Sequence, residues 1–98
     1  MIKVIVGYKV KNIGELEPIL VKIRAHAMQY PGFVSSENLV STKDSSVMAM
    51  ISTWDRIQDW EIWQESSIRN NLLNEANQVL EEEPRITIYR VMPTDRWR

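Results

Sequence analysis

From residue 2 to residue 10 the chain reads Ile-Lys-Val-Ile-Val-Gly-Tyr-Lys-Val, with β-branched residues at positions of both parities, which predicts a strand covered on two faces. The period then lengthens. Leu16, Ile19, Leu20, Ile23, Ala27 and Tyr30 recur at three- and four-residue steps, the stripe of an amphipathic helix. Pro18 is tolerated only in a first turn, so this helix starts near Gly14, where Glu15 and Glu17 meet the positive end of the dipole. Pro31-Gly32 ends it. Two strand-like runs follow, over 33–42 and 47–54, joined by the polar link Lys43-Asp44-Ser45-Ser46 of hairpin length. Asp55, with Gln58 three residues on, has the reciprocal pattern of a capping box and opens a second helix. Ile57, Trp60 and Trp63 line one side of that helix, and Ser66-Ser67 interrupts it. Ile68, Leu72, Ala76 and Val79 or Leu80 then resume a helical stripe as far as Glu81-Glu82-Glu83 and Pro84. Residues 85–92 alternate and are rich in β-formers, a last strand, and Pro93 begins a tail.

The order βαββαβ predicts an α+β domain of the ferredoxin-like kind over residues 1–93, with an antiparallel sheet and a short tail at 94–98. Helices in such a fold cover one face of the sheet. Val4, Ile5 and Val6, and Met48 to Ile51, are nevertheless apolar on both alternations. A second copy laying its own sheet on the open face is the economical cover, so a homodimer is expected.

Composition narrows the function classes. A chain of 98 residues supports one core, and at 44% hydrophobic with four Trp it has apolar surface to spare for a partner or ligand. Twelve basic residues against 13 acidic, net charge -1, and no basic run interleaved with aromatics argue against nucleic acid. With no Cys and a single His, there is no thiolate, no iron–sulfur ligand set and no zinc-type pattern, so neither metal nor cofactor is expected. The apolar run at the start is too short for a signal peptide, and no stretch approaches the roughly 20 apolar residues of a membrane span. A cytoplasmic protein is the expectation.

Tyr30-Pro-Gly-Phe33, then Glu37 on the next strand, Ser52-Thr-Trp54 closing a strand, and Trp63-Gln-Glu-Ser66 on the following helix together resemble the antibiotic biosynthesis monooxygenase superfamily, over residues 1 to about 93. The resemblance implies a dimeric α/β barrel. It also implies a monooxygenase, working without a cofactor on a small aromatic, phenolic or quinol-like molecule. A dimer of the same fold that binds a small hydrophobic ligand without turning it over is the alternative. Haem degradation, known in one branch, comes third. That branch uses an Asn on the first strand and a His further along the helix after the Trp of W-x-x-S, and this chain has Gly7 and Leu73 at those places. In the anthrone-oxidising branch an Asn tends to precede that Trp by one helical turn. Here Asp59 stands there, and an ionised carboxylate offers no donor.

These considerations select candidate site residues, each beside a plainer role. Trp63 would orient a flat ligand through its ring and indole N–H, or pack as core. His26, the single His, is the candidate base, or an ordinary packed side chain at the helix edge. Gly7 would leave room above the sheet, or mark a bulge. Tyr8, Asp59, Ser66 and Arg69 are candidates for the substrate pocket, with packing or solvated surface as their alternatives. Trp54 reads as structural packing, Trp60 as core or dimer contact, and the Asn residues at 70, 71, 74 and 77 as a loosely held lid.

Overall fold

The computed structural model describes residues 1–93, and the expected tail at 94–98 lies outside the described residues. The chain runs β1 (Ile2–Lys9), α1 (Ile13–Ala27), β2 (Phe33–Val40), β3 (Val47–Trp54), α2 (Ile57–Gln64), α3 (Ser67–Asn77) and β4 (Arg85–Arg90). The strands form one antiparallel sheet in the order β2-β3-β1-β4. This is the ferredoxin-like arrangement, with its second helix divided in two. The divider is Ser66, whose side chain accepts from the Arg69 backbone N–H at 3.1 Å and so caps a new helix.

α1 begins where the Asn12 side chain accepts from the Gly14 N–H at 2.9 Å. Its stripe Leu16, Ile19, Leu20, Ile23 and Ala27 is buried against the sheet, and α1 also packs on α3. From β1 the residues Ile2, Val4, Val6 and Tyr8 face the helices, and from β3 Met48, Met50, Ser52 and Trp54 do so. The period-2 geometry puts Ile5, Gly7, Ala49 and Ile51 on the opposite face. There they are half-buried, while Leu39 and Tyr89 of the flanking strands are exposed. One chain therefore covers one face of the sheet, and strand β1 shows the half-exposed alternation of a single-sided sheet rather than two-sided burial.

The capping box expected at Asp55 is not formed. Arg56 occupies the N-cap of α2 without a side-chain cap bond, and the Asp55 N–H instead donates to the Gly32 carbonyl at 2.8 Å. That bond ties the exit of β3 to the Pro31-Gly32 turn, which removes Asp55 from the geometry a cap needs. β2 ends at Val40 rather than at residue 42 because Ser41 enters the hairpin: its N–H donates to the Val47 carbonyl at 2.9 Å and its hydroxyl accepts from Lys43 and Asp44.

Candidate active site

The helices and the sheet meet around a small cavity lined from every layer: Val6 and Tyr8 of β1, Ile23, Arg24 and Ala27 of α1, Phe33 and Ser36 of β2, Met50, Ser52 and Trp54 of β3, Trp60 and Trp63 of α2, and Arg69 of α3. Its volume is about 10 Å³. That is room for roughly one water molecule or one ligand oxygen.

Three indoles form its wall. Trp54 is fully buried and donates its Nε1–H to Ser52 Oγ at 3.0 Å, a same-face pair two residues apart on β3. Its ring meets Trp60 edge-on at 6.1 Å and Phe33 at 5.3 Å. Trp63 is buried with Tyr30 edge-on at 4.9 Å. Trp60 differs from Trp54 in one respect: its buried Nε1–H has no partner. An unsatisfied buried donor costs about 1–3 kcal/mol.

The polar groups are electrostatically one-sided. Arg69 is only 4% exposed, its guanidinium carbon lies 4.9 Å from the centre of the Trp60 ring, and no carboxylate among the described residues pairs with it. Burial lowers its pKa from the ordinary guanidinium value, and Tyr8 partly offsets this. Burial pushes the Tyr8 phenol up to about 12, against the pull of Arg69. Arg24 stands at the rim, donating Nε–H to Ser36 Oγ at 2.9 Å and so bridging α1 to β2. The lining thus holds two guanidinium groups and no acid.

Tyr8 carries a pH signature. Its folded pKa of about 12 lies above the ordinary 10.0, so the protonated phenol favours the fold fully below pH 10 and that stability is lost as pH rises from 10 to 12. Each pKa unit corresponds to about 1.4 kcal/mol, which makes the loss on the order of 2–3 kcal/mol. Denaturant titrations across this window should show a steeper decline for the parent than for Tyr8→Phe; parallel declines would refute the assignment.

The geometry brings Trp63, Tyr8 and Arg69 together and sets the other candidates elsewhere. His26 is exposed and outside the lining, because the inward stripe of α1 runs through Ile23 and Ala27. Gly7 points to the opposite face of the sheet, paired with Ala49 and Arg85. Asp59 is buried but takes Arg56 as its partner at 3.2 Å and presses on Gly32, so it braces the Pro31-Gly32 turn. Ser66 caps α3 and thereby fixes the start of the turn that carries Arg69 inward. The Asn residues of α3 lie on its exposed side within regular helix. Arg24 and the indole donor of Trp60 have no assigned role in the sequence, and Ser52 stands there only within Ser52-Thr-Trp54. Spacing holds a signal for two of them, since Trp60 is three residues before Trp63 on one helix face and Ser52 two before Trp54 on one strand face.

Among the described residues no group of three or more His, Cys, Asp or Glu is placed to hold a metal ion, and no helix is long and apolar enough to cross a membrane.

The fold is that of the antibiotic biosynthesis monooxygenase superfamily. A crystal structure of an antibiotic biosynthesis monooxygenase superposes with a TM-score of 0.84 at 19% identity, over 95% of this chain and 100% of that one. SnoaB, a cofactor-independent oxygenase from Streptomyces nogalater, superposes with a TM-score of 0.85 at 13% identity, over 95% of this chain and 94% of its own. A conserved protein from Methanosarcina mazei does so with 0.85 at 16%, over 91% and 90%. By sequence, neither a family model nor a curated protein matches the chain.

Proposed function

We propose that this protein is a cofactor-independent monooxygenase of a small aromatic, phenolic or quinol-like substrate, acting as a cytoplasmic homodimer. The observation that carries the reading is the cavity itself: a wall of three indoles with one unpartnered buried N–H and two guanidinium groups without an acid in the lining, on a fold shared with a cofactor-independent oxygenase. Electron-rich aromatic anions reduce O2 directly, so the protein's part is to bind the ring, exclude water and stabilise negative charge. With anthrone, the methylene carbon supplies the electrons, one oxygen atom becomes the new carbonyl and the other leaves as water. Trp63 is assigned to hold the ring, with Tyr8 and Arg69 facing its oxygen. His26, exposed, is not needed. The half-buried apolar patch around Ile5 and Ile51 is the surface a second copy would cover.

The test is oxygen uptake with anthrone in the presence of a chelator and without flavin. Uptake should exceed the buffer rate, Arg69→Met should slow it by about a hundredfold because a charged donor to the developing anion is lost, and His26→Gln should leave it unchanged. Light scattering should give twice 11.5 kDa. Parent protein no faster than buffer would defeat the oxygenase reading. One observation favours a second reading, a dimer that binds such a ligand without turnover: no His or carboxylate lines the cavity to take up a proton. It would be upheld by a ligand-induced rise in melting temperature with no oxygen uptake.

A further inference from the structure

Arg69 is the feature of this molecule that the fold alone does not explain. A guanidinium buried to this degree ordinarily has a carboxylate beside it, because an isolated charge is costly to desolvate. Here no acid pairs with it among the described residues, and its guanidinium lies over the ring of Trp60 at 4.9 Å. The same Trp60 holds the buried Nε1–H that has no acceptor. Tyr8, protonated at neutral pH, supplies a third donor on the same wall, and Arg24 adds a second positive charge at the rim. These donors and cations all belong to the lining of one cavity with room for about one oxygen atom, in a protein whose overall charge is -1.

From this convergence we infer that the cavity between α3, α2 and β1 is an oxyanion site whose ligand enters already ionised, with an aromatic oxyanion seated against Arg69, Trp60 and Tyr8. The inference deepens the proposed function and rests on this cavity being its ligand site. Chemistry supports ionisation before entry. The lining has no His or carboxylate to remove a proton, and a phenol with its pKa raised to about 12 is an acid and a donor, not a base, at neutral pH. A ligand that stayed neutral would leave Arg69 uncompensated; an anion satisfies it, and charge-assisted bonds to guanidinium are the strong ones. Arg24 at the mouth would draw the anion in. The volume sets how it sits: the oxygen occupies the cavity and the ring extends toward Arg24, Phe33 and Ser36, lining residues that are not buried.

Equilibrium binding of 4-nitrophenol under argon tests this, read from the visible phenolate band near the compound's own pKa. Argon prevents turnover, so the result is independent of whether the protein is an oxygenase. The parent protein should strengthen the phenolate band and lower the ligand's apparent pKa. 4-Nitrobenzoate should compete if the site accepts carboxylates as well as phenolates. 4-Nitroanisole, which has the same ring and no charge, should bind about tenfold or more weakly. Arg69→Met keeps the length and removes the charge, and should abolish the pKa shift while sparing the weak binding of 4-nitroanisole. Trp60→Phe should reduce the shift without abolishing it. The preference of the parent protein for phenolate over ether needs no variant, so the test stands even if a variant fails to fold. Binding of 4-nitrophenol in its neutral form, equal affinity for 4-nitroanisole, or no binding of the anion would each overturn the inference. Anion-selective binding without oxygen uptake would leave it intact and refute only the oxygenase reading.

Discussion

Gly32→Ala should lower the unfolding free energy by roughly 2–6 kcal/mol. Gly32 has φ of 86°, a region where a side chain costs about 1–3 kcal/mol. A Cβ placed there would also overlap the Asp59 carboxylate and come within 2.6 Å of the Asp59 Cβ, an overpacking of about 1–3 kcal/mol. Asp59 has little freedom to retreat, being buried and joined to Arg56 at 3.2 Å. Urea titration of Gly32→Ala, Asp59→Gly and the double variant separates the two causes, since Asp59→Gly removes the Cβ and the carboxylate together, so the overlap disappears in the double variant while the backbone cost at residue 32 remains. A Gly32→Ala protein within 1 kcal/mol of the parent would mean that the turn yields, and that Asp59 does not brace it. The same turn accepts the Asp55 N–H, so its loosening should reach α2 and with it Trp60 and Trp63.

Trp54→Ala is expected to cost a similar amount, about 3–5 kcal/mol, because a fully buried indole leaves a void that the fold only partly closes. The neighbours argue against closure. Phe33 and Trp60 both meet Trp54 edge-on, and Ser52 loses the donor it now accepts. The void would join a cavity that now takes about 10 Å³, so added indole should bind and recover part of the lost melting temperature. Absence of any indole effect, with a loss below about 1 kcal/mol, would show that the cavity wall collapses rather than opens.

Much of the fold was legible because it follows from local periodicity. β3 begins and ends at Val47 and Trp54 as its residues indicate, and the break at Ser66 follows from a side chain that caps better than it continues a helix. Asp55 departs from its local pattern for a nonlocal reason: the pattern fits a capping box, but its N–H donates to the carbonyl of Gly32, distant in sequence. The two-sided burial expected of β1 depends on a surface outside the single chain.

The site divides along the same line. By itself the sequence determined the order of elements, the inward stripe of α1, the alternation of β1 and β3, and the presence of Trp63 on the inner face of α2, since each depends on a period of 2 or 3.6 residues. Tertiary structure decided which polar groups meet. Tyr8, Trp60 and Arg69 come from three separate elements, and no spacing relates them. Arg69 reads as a solvated helix residue until Ser66 restarts the helix and turns it under the sheet, where burial removes its water and leaves it without an acid. His26 reads as a base until the rotation of α1 places it in solvent. Patterns of burial are written in neighbouring residues, whereas the balance of charge in a cavity is a sum over residues that only the fold assembles.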